Sequence, residues 1–250
     1  MGLEQHVNAP EPAQAGSIES SANFCWVMSV IIHNGDSARL AAFLKAPVYT
    51  AEGRQPFADG VGLDFEFHGD GDRAVTEQAE AVQGLASERG GHGFEWARRP
   101  EDRERLWQAR HDVHYASMAL RAGSRAWATD VCVPISRLAD CVVETKADHA
   151  DAPFPVCLVG HAGDGNFHVI YLIDPSSADE LAQVKRYNER VVARALAMGG
   201  TCTGEHGVGY GKIASLEAEH GEAISVMRDI KRVLDPDNRM NPGKVLRLTD

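Results

Sequence analysis

The sequence predicts an α+β fold in which helices cover one face of an antiparallel sheet, followed by a C-terminal helical tail. Residues 63–68 alternate apolar and polar side chains, which is the period of a half-buried strand. Apolar residues then recur at helical spacing between residues 75 and 86. A capping box formed by Ser177 and Glu180 opens a long amphipathic helix that ends at Gly199.

The other predicted elements complete the order βαβ, helix, βαββα. Further strands are predicted at 24–32, 94–96, 127–133, 154–160 and 167–173, and further helices at 100–121, 136–145 and 222–234. Residues 1–22 are rich in Ala, Glu, Pro, Gln and Ser and show no period. Residues 1–60 are therefore interpreted as an atypical or partly disordered lead, and residues 61–250 as the folded domain.

Charge and composition argue against several classes of protein. The 250 residues include 25 Lys and Arg against 36 Asp and Glu, a formal net charge of −11. Such an acidic chain is poorly suited to phosphate backbones, so we expect no nucleic-acid partner. The longest apolar run, 24–32, is too short for a membrane span, which needs about 20 residues. The first 22 residues contain no Lys or Arg, so a cleaved signal peptide is not expected.

The cysteines suggest a cellular compartment. There are five of them, and no two form a CxxC pair. They are too few for a disulfide-stabilised scaffold, and we interpret them as reduced thiols. The prediction that follows is a cytoplasmic protein.

The segment between the strands at 154–160 and 167–173 carries the strongest chemical pattern. It contains His161 and His168 at either end of a Gly-rich turn, HAGDGNFH. Two convergent neutral imidazoles are typical of a site for zinc, manganese or iron. The alternative is a tight turn with incidental histidines, because this spacing is less diagnostic than HExxH.

A second Gly-flanked segment, TGEHGVG, places Glu205 beside His206. Glu205 would complete a His-His-Glu metal set with an open position for a substrate oxygen. His206 would then lie beside the metal as a general base. The alternative is a surface turn, or a His206 that donates a hydrogen bond to a carbonyl.

Basic residues offer candidate anchors for an anionic substrate. Arg110 follows Leu106-Trp107 on a predicted helix, and a guanidinium matches a carboxylate in a bidentate manner. The alternative is an ordinary helix-surface arginine, and the same ambiguity applies to Arg125 and Lys212. His149 is interpreted as a surface residue.

Three segments together resemble the C-terminal domain of FAD-linked 2-hydroxy-acid dehydrogenases, a family that includes cytochrome-type D-lactate dehydrogenases and the FAD subunit of glycolate oxidase. They are HAGDGNFH at 161–168, TGEHGVGYGK at 203–212 and LDPDNRMNPGKV at 234–245. The resemblance implies an FAD-dependent oxidoreductase in which a ferredoxin-like sheet covers the flavin. It also implies a D-lactate-like small 2-hydroxy-acid substrate.

The resemblance assigns a role to each candidate residue. It implies that His161, His168 and Glu205 hold a divalent metal, zinc or manganese, and that His206 takes the proton of the substrate hydroxyl. It places the substrate at Arg110, Arg125 and Asn166. Asn241 would lie near the cofactor.

The first 60 residues do not resemble the Gly-rich FAD-binding loops of this family. The expectation is therefore the substrate- and metal-binding part of a dehydrogenase whose FAD is held mainly by a domain absent here. Two alternatives stay open. One is a catalytically inactive truncated fragment, and the other is a noncatalytic subunit that pairs with a separate FAD-binding chain. Assembly as a homo-oligomer is a further possibility.

Overall fold

The structure is a computed structural model that describes residues 2–7, 24–32, 61–88, 91 and 94–248. Its strands are β1 (Gly2–Val7), β2 (Phe24–Ile32), β3 (Val61–His68), β4 (Phe94–Ala97), β5 (Arg125–Ala128), β6 (Val131–Cys132), β7 (Val156–His161) and β8 (Asn166–Ile173). Its helices are α1 (Asp72–Ser87), α2 (Pro100–Ala119), α3 (Ile135–Asp148), α4 (Ala178–Ala197), α5 (Ile213–His220) and α6 (Ala223–Leu234). None of these helices has both the length and the apolar character that crossing a bilayer requires.

The strands form one sheet in the order β4-β1-β3-β2-β7-β8-β5, and β6 pairs with β8. Every pairing among the described strands is antiparallel except those of β2, which runs parallel to both β3 and β7. The predicted α+β class is confirmed, with a mixed centre where an antiparallel one was expected. The near-continuous apolar sequence of β2 suits a strand between two parallel neighbours.

The strands β1 and β2 belong to the region that the sequence assigns to a lead. β1 pairs with β3 and β4, and β2 lies between β3 and β7. The predicted domain boundary after residue 60 therefore does not coincide with a break in the sheet. The rest of the lead lies outside the residues that the structure describes.

The main core lies between one face of the sheet and helices α1, α3 and α4. The helix α4 begins as predicted, because Ser177 Oγ accepts a hydrogen bond from the N–H of Glu180 at 3.2 Å. The Glu180 carboxylate does not return to Ser177, as a full capping box would require. It pairs instead with the Arg121 guanidinium at 2.8 Å and fixes the end of α2 to the start of α4.

The opposite face of the sheet is also covered, which corrects the prediction of helices on one face only. Cys157, Ile170 and Leu172 form a smaller buried cluster, and Met118 of α2 packs against it. Side chains alternate along a strand, so His168 points to the same face as Ile170. His168, a predicted metal ligand, thus lies on the side away from the main core.

The predicted strand at 127–133 is divided into β5 and β6. Thr129 and Asp130 separate them, and both residues are buried. Thr129 stays close to the sheet, because its N–H donates to the carbonyl of Val169 at 2.9 Å. Asp130 lies outside both strands, and its side chain belongs to the candidate site described below.

His149 is buried, and the prediction of a surface residue is wrong. Its Nδ1 lies 2.6 Å from the carbonyl of Thr145, and its Nε2 lies 2.8 Å from the hydroxyl of Tyr171. The ring stacks on Tyr187 with 4.4 Å between centroids. Burial lowers the pKa of His149, so the ring is held neutral inside the core.

Replacing Tyr171 with Phe tests this internal hydrogen bond. The change leaves a buried imidazole nitrogen without its partner, and we expect the free energy of unfolding to fall by about 1–3 kcal/mol. The measurement is urea denaturation, with Tyr115→Phe as the control because Tyr115 is 68% exposed. Equal stability of Tyr171→Phe and the native chain would contradict the assignment.

Candidate metal and substrate site

The hairpin of β7 and β8 brings the two predicted ligand histidines to one end of the sheet. In its register, His161 opposes Asn166 and Val159 opposes His168. A short 3₁₀ turn at Ala162–Asp164 connects the strands, and Gly165 follows with φ of +75°. A Cβ at Gly165 would lie 2.0 Å from the carbonyl oxygen of Val133, so only glycine fits there.

Glu205 joins the two histidines across the end of the hairpin. Its carboxylate oxygens lie 3.0 Å from His168 Nε2 and 3.7 Å from His161 Nε2. One ligand atom from each of the three residues lies within 4.8 Å of the other two. The structure therefore brings together the three residues predicted as metal ligands.

The orientation of His168 favours a cation between these groups. Its Nδ1 lies 3.1 Å from the carbonyl of Thr129, which can only accept, so Nδ1 carries the hydrogen. The lone pair of Nε2 then faces a carboxylate oxygen, an arrangement that needs a proton or a metal ion between them. Burial lowers the pKa of His168 and disfavours the proton. The donor set thus fits a divalent metal, with the carbonyl acting as the second partner that orients a ligating imidazole.

His206 lies beside this group and is more accessible. Its ring stacks on that of His168 with 4.8 Å between centroids, and its Nε2 lies 3.5 Å from Glu205 Oε1. About half of each of the His206 and Glu205 side chains is exposed, at 53% and 48%. An imidazole placed in this way can exchange a proton with a molecule bound next to Glu205.

Asp130 also belongs to the site, and the sequence analysis missed it. Its carboxylate is 1% exposed and accepts hydrogen bonds from the backbone N–H groups of Gly204, Glu205 and His206. Burial opposes its charge, yet these donors, with Asn166, Thr203 and Lys212, hold the pKa of Asp130 well below its usual range. The available signal was an acidic residue inside an otherwise apolar strand pattern.

A second group of three possible ligands consists of Asp130, His168 and His206. It is the weaker candidate, because Asp130 Oδ2 already accepts from Thr203 Oγ1 and from Lys212 Nζ, at 2.8 and 3.1 Å. The His168 nitrogen nearer Asp130 donates to the Thr129 carbonyl. The Asp130 carboxylate is therefore already engaged by donors of the chain itself.

Among the described residues, those predicted to bind substrate and cofactor lie farther apart than the three predicted metal ligands. Asn166 lies within the site, but it is buried and its amide donates to Asp130 and to the carbonyl of Val131. Arg125 opposes Ile173, five residues along β8 from His168, a separation of about 17 Å. Asn241 accepts from Lys244 Nζ at 3.2 Å in the C-terminal turn. The side chain of Arg110 lies outside the described part of the chain.

Lys212, considered above as an anion anchor, has an internal partner. Its ammonium donates to the backbone carbonyl of Asp130 at 2.9 Å as well as to the carboxylate. Its positive charge therefore balances the buried carboxylate. The roles proposed for Arg110, Arg125, Asn166 and Asn241 stay predictions.

Comparisons with known proteins support the resemblance. The chain is 52% identical over 188 residues to a probable mitochondrial D-lactate dehydrogenase of Danio rerio, a match over 75% of this chain and 38% of that protein. It is 45% identical over 186 residues to a mitochondrial cytochrome D-lactate dehydrogenase of Arabidopsis thaliana, over 74% of this chain and 32% of that one. It is also 31% identical over 172 residues to the glycolate oxidase subunit GlcD of Bacillus subtilis, over 68% of this chain and 36% of that one. The chain thus spans about a third of the length of these relatives.

A solved structure supports the fold. A 4-ethylphenol oxidase of Gulosibacter chungangensis, in complex with isoeugenol, matches with a TM-score of 0.50 and 14% identity. The match covers 98% of this chain and 47% of the oxidase. At this identity the likeness concerns the fold alone.

The predicted cytoplasmic location is contradicted. The relatives from Danio rerio, Arabidopsis thaliana, Kluyveromyces lactis and Saccharomyces cerevisiae are all named as mitochondrial proteins. The cysteine argument failed because reduced thiols separate reducing from oxidising compartments and do not distinguish one reducing compartment from another.

The family comparison covers most of the sequence. The model of the C-terminal domain of FAD linked oxidases matches residues 29–245, a range that includes the hairpin histidines, Asp130 and the Glu205-His206 segment. The chain therefore belongs to the family of FAD linked oxidases, through their C-terminal domain.

Proposed function

We propose that this chain is the substrate- and metal-binding part of an FAD-dependent dehydrogenase that oxidises a small D-2-hydroxy acid such as D-lactate. The observation that supports it best is the convergence of His161, His168 and Glu205 on one point, with His206 beside them. The names of the relatives support D-lactate as the substrate class and the mitochondrion as the location.

The metal ligands and His206 have separate roles in the proposed reaction. His161, His168 and Glu205 would hold a zinc or manganese ion, which supplies Lewis-acid polarisation of the substrate hydroxyl. His206 would take the hydroxyl proton on its exposed imidazole. Its stacking on the buried ring of His168 keeps it next to the bound hydroxyl.

The oxidation also needs a hydride acceptor. FAD, when bound, would supply the acceptor for the hydride on the substrate α-carbon. We propose that FAD is held mainly by the part of such a protein that this chain does not span, with Asn241 contributing from the C-terminal turn. Arg110 would pair with the substrate carboxylate, and Arg125 and Asn166 would assist.

Metal analysis tests the ligand set. Purified chain dialysed against zinc or manganese should retain about one ion per chain, and the double variant His161→Ala/His168→Ala should retain about a tenth of that or less, because two of three protein ligands are lost. The matched control is His114→Ala/His220→Ala, which removes two exposed histidines. Metal content in the double variant equal to that of the native chain would refute the site.

Flavin reduction tests the reaction and the role of His206. The chain is mixed with FAD and D-lactate without oxygen, and bleaching of the flavin absorbance is followed. His206→Ala should slow the bleaching by about 10²- to 10⁴-fold while the metal content is unchanged, because the general base is lost and the ligands remain.

The same spectra separate the alternative functions. A chain that binds metal but reduces no added FAD with D-lactate is the inactive fragment, and the proposal of a catalytic half then fails for the isolated chain. Co-purification with a yellow second protein indicates a subunit that pairs with a separate FAD-binding chain. His206→Ala that reduces flavin at the native rate would contradict the role of His206 as base.

A further inference from the structure

The segment that carries Glu205 and His206 has no regular secondary structure of its own. Residues 203–209 lie in neither a helix nor a strand, and Gly207 and Gly209 have positive φ values. A metal ligand on such a segment needs an external support, because a misplacement of about 1 Å already weakens a catalytic site. The support must come from residues that contact this segment.

Asp130 makes those contacts. Its Oδ2 lies 3.0 Å from the N–H nitrogens of both Gly204 and His206, and the nitrogen of Glu205 lies 3.2 Å from both carboxylate oxygens. Three consecutive N–H groups thus point at one carboxylate, a concave arrangement of donors that suits an anion.

The same carboxylate is also fixed to the sheet. Its Oδ1 accepts from the amide of Asn166, the first residue of β8, at 2.9 Å. Thr129, the residue before Asp130, orients His168 through its backbone carbonyl. Thr129 therefore contacts the strand that carries His168, and its neighbour Asp130 contacts the segment that carries Glu205.

Steric fit at Gly204 shows how close this contact is. A Cβ on Gly204 would lie 1.8 Å from Asn166 Nδ2 and 2.9 Å from Asp130 Oδ1. No side chain could be added there without moving the segment away from the sheet. The packing is therefore specific to this one arrangement of Asp130, Asn166 and Gly204.

We propose that Asp130 is the positioning residue of the site, and that its carboxylate sets the metal affinity by holding Glu205 in reach of His161 and His168. This inference rests on the proposed function for the identity of the ligands. It adds a residue that neither binds the metal nor touches the substrate.

The test is Asp130→Asn, which keeps the shape and removes the charge. An amide has one acceptor oxygen, so its NH₂ group faces either the three backbone N–H groups or the amide of Asn166. We expect the dissociation constant for Zn²⁺ or Mn²⁺, measured by competition with a chelator, to rise about 10- to 100-fold. We also expect faster hydrogen exchange at the backbone amides of residues 204–206.

Asp235→Asn is the matched control. Asp235 is also a buried carboxylate that accepts from two backbone N–H groups, those of Arg239 and Met240, and from the ammonium of Lys231. A general loss of stability would affect both variants alike. The proposal requires metal affinity to fall in Asp130→Asn and to stay at the native value in Asp235→Asn.

A milder variant covers the case in which Asp130→Asn does not fold. Thr203→Val removes a single donor to the same carboxylate and should weaken metal binding in the same direction by a smaller factor. Native metal affinity in the folded Asp130 or Thr203 variant, or an equal loss in Asp235→Asn, would overturn the proposal. If the native chain binds no metal, the metal site fails, and unchanged exchange at residues 204–206 then separately refutes the positioning role.

Discussion

The site depends on one buried charge, the carboxylate of Asp130. A buried carboxylate is costly unless it is paired and hydrogen-bonded, and here the Lys212 ammonium and several N–H and O–H donors surround it. These donors come from segments that are far apart in the sequence, so the charge can be satisfied only when those segments have assembled. Formation of the site therefore requires that these distant segments have come together.

The second constraint is the register of the hairpin β7–β8. Phe167 and Val169 lie in the main core, while His168 between them faces the other side of the sheet. A slip of one residue would bury His168 among the core helices and expose Phe167. Apolar packing on one face therefore determines which chemical group is presented on the other.

Local patterns predicted the parts of the molecule that local physics determines. The helical period of α1, the N-cap at Ser177 and the turn between His161 and His168 are all set by residues close in sequence. Asp130 was missed because its partner Lys212 is 82 residues away, and a single acid in an apolar pattern does not indicate which groups it contacts. The distance of Arg125 from the predicted ligands follows from strand register. The burial of His149 follows from its packing against Tyr171. Neither the register nor this packing can be deduced from the periodicity of the sequence.

The residues of the site differ in how deeply they are buried, and this difference indicates from which side the site is accessible. His168 is buried and fixed by a backbone carbonyl, whereas Glu205 and His206 are half exposed. Such a site is rigid on the side of the sheet and open on the side of the 203–209 segment. On the proposed function, this exposed side is where a substrate and a hydride acceptor would approach. Because His168 is fixed from the side of the sheet, a molecule can approach the exposed side without moving this histidine.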